Sequence, residues 1–248
     1  MTAAMVRPVR FTNDVAAMRR FLELLGMRAR TESRGGGWVD LVAGAGMVAL
    51  HSVGSSTRGA QSGQTTLSLE VGDPDSVAER LRAAGFSDAE VVDESYGRDV
   101  LVTDPDGDQL LFNGVSNDLY GYQRKEAAPD PSLTVSPTRF TDPTGPYRGF
   151  LEALGLRAVD GGTEHFAPFE AQDAGGEVNL HVVYAGELPV VDAPGAVHLT
   201  FTTREPMADL AARLASAGFT AEVVHEDFGS HVSVTDPDDQ SVQIYEAR

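Results

Sequence analysis

The chain has 248 residues, of which 42% are hydrophobic and 23% charged, and its 37 acids against 19 Lys and Arg give a net charge of −18. That charge leaves no cationic footprint for displacing counterions from phosphate, so nucleic acid is set aside as a partner. No stretch approaches the roughly 18 unbroken apolar residues of a membrane helix, and the absence of cysteine removes disulfides, thiolate nucleophiles and Cys-ligated zinc.

The opening MTAAMVRPVRFTND has no apolar core of signal-peptide length, which together with the missing cysteines fits a reducing cytoplasm. A helix follows in DVAAMRRFLELLG, where Val15, Met18, Phe21, Leu22 and Leu25 keep helical spacing. Gly26 is expected to close it in the left-handed region. GWVDLVAG and MVALHSV read as strands. SRGGGW between them lacks the lysine and the strand-to-helix setting of a phosphate loop, so it reads as a hairpin. The pattern then restarts: TTLSLEV is a strand and DPDSVAERLRAAGF a capped helix ending at Gly85. RDVLVTD and QLLFNG are two strands joined by a DPDG turn.

The second half repeats this order. VRPVRFTNDVAAMRRFLELLGMRA, from Val6, aligns with VSPTRFTDPTGPYRGFLEALGLRA, from Val135, at an offset of 135 − 6 = 129. VTDPDGD at Val102 returns as VTDPDDQ at Val234, an offset of 234 − 102 = 132. The chain is therefore a tandem duplication, read as an N-terminal domain 1–115, a linker 116–132 and a C-terminal domain 133–248. In the repeated turn Asp104 accepts from the backbone two residues on, Pro105 fixes φ and Gly107 supplies a positive φ. Asp239 takes that last place in the second copy, as aspartate tolerates the left-handed region.

This order, with FLELLGM, LRAAGF and VTDPDGD in their places, resembles the vicinal oxygen chelate superfamily of glyoxalases, bleomycin-resistance proteins, fosfomycin-resistance enzymes and extradiol dioxygenases. The resemblance covers nearly the whole chain outside the joint. It implies an α+β fold of four βαβββ modules, paired into two tandem half-open mixed-sheet barrels, each around a cavity. Metal-using members place a His, Gln or Glu on the first strand, a Glu on the fourth, a His on the fifth and a Glu on the eighth. The aligned residues in the first half are Arg7, Ala49, Thr66 and Leu111. None is a usual ligand, and Arg7 is a fixed cation that repels a metal. In the second half they are Ser136, Asn179, His198 and Gln243, with His181 sharing the strand face of Asn179. His181, His198 and Gln243 could hold a divalent ion weakly, but no carboxylate joins them.

His51 and His181 match across the duplication, either as pocket acid-base groups or as satisfied lining residues. Trp38, the only tryptophan, either stacks on a flat ligand or caps the core. Arg98 and Arg7 together could bind an anion, and Tyr96 and Phe228 are expected to cover the barrel mouths. The candidate ligand-binding set is thus Arg7, Trp38, His51, Thr66, Arg98, Leu111, Ser136, Asn179, His181, His198, Gln243 and Tyr245. The leading expectation is a protein that binds a small organic molecule without metal or other cofactor, by sequestration or as a metal-free isomerase or lyase. The alternatives are a metal-dependent lyase or dioxygenase around His198 and a non-catalytic interaction module. Internal duplication favours a monomer with pseudo-two-fold symmetry over a dimer.

Overall fold

A computed structural model of the chain describes residues 4–57, 59–94, 97–115, 121–182 and 196–247. Among them are four helices, α1 (Val15–Leu25), α2 (Pro74–Ala83), α3 (Tyr147–Ala153) and α4 (Met207–Ser216). They lie among four mixed sheets, so the fold is α+β, and no sheet closes into a barrel. Each quarter of the sequence supplies one helix and most of one sheet.

The helices form where the sequence places them. Asp14 caps α1 by accepting from the Ala17 N–H at 2.8 Å, and Gly26 ends it at φ 113°. Met18, Phe21, Leu22 and Leu25 are buried and Val15 packs beside them, the stripe that the spacing specified. Asp73 caps α2, with Pro74 just inside its start. Helix α3 is shorter than α1 because Pro143 and Pro146 delay its start to Tyr147.

The chain divides into two compact units that interleave the sequence halves. Unit 1 comprises Met1–Pro8, Thr66–Tyr120 and Pro137–Val197; unit 2 comprises Val9–Thr65, Gly121–Ser136 and His198–Arg248. Two prolines mark the divisions. The segment opening the first half pairs as Met5–Val6 with Leu69–Val71, then resumes beyond Pro8 as Val9–Thr12 beside Met47–Ser52. Its counterpart pairs as Thr134–Val135 with Thr200–Thr203, then resumes beyond Pro137 as Thr138–Phe140 beside Glu177–His181. A proline has no N–H for a ladder, so each long strand breaks there and serves two sheets.

In unit 2, sheet 1 has the order Tyr122–Arg124, Arg28–Ser33, Trp38–Val42, Met47–Ser52, Val9–Thr12 and Thr65–Thr66, and sheet 4 the order Thr134–Val135, Thr200–Thr203, Ser241–Glu246, Gly229–Thr235 and Ala221–Glu226. Helices α1 and α4 share one apolar cluster with these sheets, including Phe21, Leu41, Leu50, Phe201, Leu214 and Ile244. In unit 1, sheet 2 has the order Met5–Val6, Leu69–Val71, Gln109–Gly114, Gly97–Thr103 and Glu90–Glu94, and sheet 3 the order Arg157–Ala158, Phe166–Glu170, Glu177–His181, Thr138–Phe140 and Val197–His198. Helices α2 and α3 pack with them around Leu69, Val100, Phe112, Phe150, Phe169 and Leu180. SRGGGW is the hairpin between Arg28–Ser33 and Trp38–Val42, and part of the expected linker, Tyr122–Arg124, adds an edge strand to sheet 1.

The repeated turns carry the main polar ties of each unit. In unit 1, Asp104 accepts from the N–H groups of Asp106 and Asp108, and Gly107 has φ 94°. Arg139, 2% exposed, lies 2.9 Å from Asp104 and donates to Asp106 and Asp108 at 3.0 and 2.8 Å. The Tyr147 hydroxyl donates to Asp104 at 2.8 Å. In unit 2, Asp236 accepts from Asp238 and Gln240, and Asp239 sits at φ 60°. Arg10, 3% exposed, is ion-paired with Asp236 and lies 3.5 Å from Asp238. Each guanidinium therefore comes from one half of the sequence and its carboxylates from the other. Burial raises Asp104 and Asp236 above the usual aspartate range against the pull of their arginines. Burial also lowers Arg10, whereas at Arg139 it is outweighed by Tyr147, Asp104, Asp106 and Asp108, and that guanidinium is raised.

Candidate functional site

Strand alternation sorts each sheet into a helix-packed face and an opposite face. The candidate residues gather on the second kind. In sheet 2 of unit 1, Val100, Val102, Leu110 and Phe112 join the core with α2, so Asp99, Leu111 and Asn113 point the other way. Arg7, 4% exposed, donates to the side-chain oxygen of Asn113 and lies 3.9 Å from Glu70. The Asn113 amide donates to Asp99 at 2.7 Å, and Asp99 also accepts the Gly114 N–H at 3.2 Å. Ser68 donates to the Leu111 carbonyl at 2.7 Å. A guanidinium, an amide and two acids thus occupy this face, while Thr66 ends the strand Thr65–Thr66 of sheet 1. Arg98 is not part of it. Its exposed side chain pairs with Asp75 at 2.5 Å and Asp93 at 3.2 Å, because it neighbours Asp99 in the strand and so faces oppositely. The expected Arg7–Arg98 anion clamp is corrected accordingly.

In sheet 4 of unit 2, Val232, Val234, Val242 and Ile244 join the core with α4. Gln243, Tyr245, His231 and Ser233 therefore face away from that helix. Thr200 and Thr202 alternate with the buried Leu199 and Phe201 on the same side, and His198 ends the preceding strand, Val197–His198, in sheet 3. Thr200 stands opposite Gln243 and Thr202 opposite Tyr245. On the other flank Ser233 is opposite Gln243 and His231 opposite Tyr245. The Tyr245 hydroxyl donates to Gln243 Oε1 at 2.9 Å, and the Thr200 hydroxyl donates to the Ser136 carbonyl. Burial, with Glu226 adding, pushes the Tyr245 phenol up to about 12. The His231 ring lies 4.9 Å from that of Tyr245, and its Nδ1 is 3.6 Å from Glu226. Burial lowers the imidazole, with Glu226 and Glu222 opposing.

The paired histidines sit in matching aromatic settings, one in each unit. In unit 2, His51 is flanked in register by Phe11 and Trp38, each with its ring centroid 5.4 Å away. In unit 1, His181 is flanked by Phe140 at 5.6 Å and Phe166 at 6.2 Å. His51 Nδ1 is 2.8 Å from the Ser52 carbonyl and His181 Nδ1 2.7 Å from that of Val182. A carbonyl only accepts, so Nδ1 of each ring donates to it. Trp38 belongs with Val9, Phe11 and Ala49 in a small cluster separate from the main core, so it does not cap that core. Asn179 stands opposite Thr138, two residues before His181 on the same strand.

No family model and no curated protein matches the chain. Solved structures do. The halotolerant catechol dioxygenase BphC superposes with a TM-score of 0.55 at 12% identity, over 99% of this chain and 86% of that one. The 2,3-dioxygenase LapB from Pseudomonas sp. KL28 gives 0.60 at 12% identity, over 99% and 92%. The Mn(II)-bound glyoxalase from Novosphingobium aromaticivorans gives 0.62 at 14%, over 99% and 81%. This chain has the vicinal oxygen chelate fold.

A vicinal oxygen chelate fold raises the question of a metal, and the residues at the ligand positions fit one poorly. Among the described residues no group of three His, Cys, Asp or Glu could hold an ion. Within unit 1 the ligand positions carry Arg7, Thr66, Leu111 and Asn179, and Arg7 repels a cation directly. Within unit 2 they carry Ala49, Ser136, His198 and Gln243, whose Oε1 already accepts the Tyr245 proton. His181 and His198 lie in sheet 3 with the strand Thr138–Phe140 between them, and Gln243 lies in sheet 4. One imidazole and one occupied amide oxygen, without a carboxylate, do not make a site for a hard divalent ion.

Sequence reasoning missed Arg10, Arg139, Asp99 and His231. Arg10 and Arg139 carried a readable signal, an arginine kept in both copies of an otherwise apolar strand, RFT, whose partners must then be kept too. Asp99 and His231 occupy one position of the repeat, 231 − 99 = 132, and differ in kind, so the duplication conceals them. Tyr96 lies outside the described residues. Phe228 is 65% exposed and covers nothing, a correction to its expected role.

Proposed function

We propose that this chain uses the vicinal oxygen chelate fold to bind a small organic molecule without a resident metal, as a sequestering protein or as a metal-free isomerase or lyase. The observation that carries this reading is the guanidinium of Arg7 at the first-strand ligand position, hydrogen-bonded to Asn113. The absence of a carboxylate among Ser136, His198 and Gln243 supports it from the second half. A soluble monomer of the cytoplasm, with no nucleic-acid or membrane partner, agrees with the charge of −18 and with the lack of cysteine.

The second reading is a metal-dependent dioxygenase or lyase working around His198. It is favoured by the similarity to dioxygenases and to a Mn(II)-bound glyoxalase, and by the imidazole of His198 two residues before Thr200, which stands opposite Gln243. Metal analysis of protein purified without chelator separates the two. The proposal expects far less than one equivalent of manganese, iron, nickel or zinc. One equivalent that disappears in His198→Ala establishes the second reading instead. Trp38 offers a direct readout of ligand entry, since the only tryptophan of the chain lies 5.4 Å from His51. A ligand reaching that cluster changes its emission, and His51→Ala alters the response.

A further inference from the structure

The two halves share a scaffold but present different chemistry on equivalent faces. Arg7 corresponds to Ser136 (136 − 7 = 129), and Asp99, Leu111 and Asn113 correspond to His231, Gln243 and Tyr245 at the offset of 132. In sheet 2 the set is joined within itself, with Arg7 donating to Asn113 and Asn113 to Asp99, although the Arg7 Nε–H makes no hydrogen bond. In sheet 4 the set is less complete. Tyr245 donates to Gln243 Oε1, but the two N–H groups of Gln243 and the lone pairs of the Tyr245 oxygen have no hydrogen-bond partner among the described residues. His231 is 2% exposed, and its Nδ1 makes no hydrogen bond. Buried polar atoms in folded proteins are almost always paired, so an unpaired one calls for a water or a ligand atom. Gln243 and Tyr245 are half-buried, which leaves their polar ends within reach of one.

We infer that the face of sheet 4 around Gln243 and Tyr245 binds a neutral organic molecule carrying a carbonyl beside an O–H or N–H, as in a lactam or a hydroxyketone. This rests on the metal-free reading proposed above and names the site and ligand class. The geometry sets the class. The Gln243 amide nitrogen donates, and the Tyr245 oxygen, 2.9 Å from the oxygen of that same amide, accepts. Donor and acceptor are thus neighbours, at the spacing of a carbonyl next to an O–H or N–H. Tyr245 remains protonated at neutral pH, since its phenol lies at about 12. Burial keeps His231 neutral, and the nearby Glu226 disfavours an anion. The Tyr245 ring, 4.9 Å from that of His231, gives the site an aromatic wall suited to a planar ligand.

The probe is 2-pyridone, a planar neutral lactam, titrated calorimetrically into the full chain in the presence of EDTA; benzoate is the anionic control of similar size. The expected result is saturable 2-pyridone binding, with benzoate at least about tenfold weaker. Gln243→Leu, which installs the side chain that Leu111 has in the first half, and Tyr245→Phe should each weaken 2-pyridone about tenfold, the scale of one lost hydrogen bond. Melting temperatures within a few degrees of the parent show that the variants fold. If 2-pyridone binds both variants as it binds the parent, this site is wrong while metal-free binding elsewhere stands. If benzoate binds as well as 2-pyridone, or 2-pyridone does not bind, the ligand class is wrong. Binding that appears only on adding Mn(II) overturns this inference and the metal-free reading together.

Discussion

Replacing Arg139 by methionine tests the tie that holds the repeated turn in unit 1. The guanidinium is 2% exposed, and the Asp104 side chain beside it is fully buried. Arg139→Met leaves Asp104 inside the protein with only the Tyr147 hydroxyl and its own turn amides for compensation. Removing one partner of a buried pair costs about 3–5 kcal/mol. At about 2–4 °C per kcal/mol for a chain of this size, the melting temperature should fall by about 6–20 °C. The loss should depend on pH in a definite direction. Asp104 is already raised from its ordinary value by burial, so the folded state binds its proton more readily than the unfolded state, and stability falls as pH rises through that raised value. Arg139 opposes this rise, and without it Asp104 moves higher still. The variant should therefore be most damaged at about pH 8 and partly recover at about pH 5.5, where more of Asp104 is protonated. Both conditions stay clear of the sequence pI near 4.6. Circular-dichroism melts of parent and variant measure the difference. A loss below about 1 kcal/mol at the higher pH, as for an exposed pair, refutes the reasoning, as does an equal loss at both.

Three further outcomes follow from the same units. Asp239→Gly should stabilise by up to about 1 kcal/mol in urea denaturation, because Asp239 holds φ 60° where the first copy has Gly107; a loss would show that the aspartate side chain offsets its strained backbone. Tyr147→Phe should cost about 1–3 kcal/mol, since it removes a buried hydrogen bond to Asp104 without changing the ring that packs on Phe150. Phe228→Ser should leave the melting temperature within about 1–2 °C of the parent, as expected of an exposed side chain that anchors nothing; a larger fall would place the ring in a contact.

The candidate site was legible in part. Side-chain alternation around the DPDG turn placed Gln243 and Leu111 on their faces, and the matched His51 and His181 do occupy equivalent settings. What could not be read was which face residues satisfy one another. Arg7 and Asn113 are 113 − 7 = 106 positions apart, and nothing local links them. Arg98 looked like a partner for Arg7 only because sequence shows charge and not direction; being next to Asp99 in a strand turned it outward.

The sequence by itself determined the elements. Helical spacing set the buried face of α1, capping aspartates set the starts of α1 and α2, and the repeated turn chemistry fixed Asp104, Gly107 and Asp239 in their conformations. These are local properties, decided by backbone sterics and by side chains within a few residues. The duplication likewise announced four modules. Only the tertiary structure decided how they combine. Pro8 and Pro137 break their strands so that each serves two sheets, and the compact units join the outer quarters of the chain to each other and the inner quarters to each other. Arg10 meets Asp236 across 226 positions, and Arg139 reaches back to Asp106 across 33. Burial of those charges, and of Arg7 and His231, depends on surfaces supplied by distant segments, which no local pattern encodes.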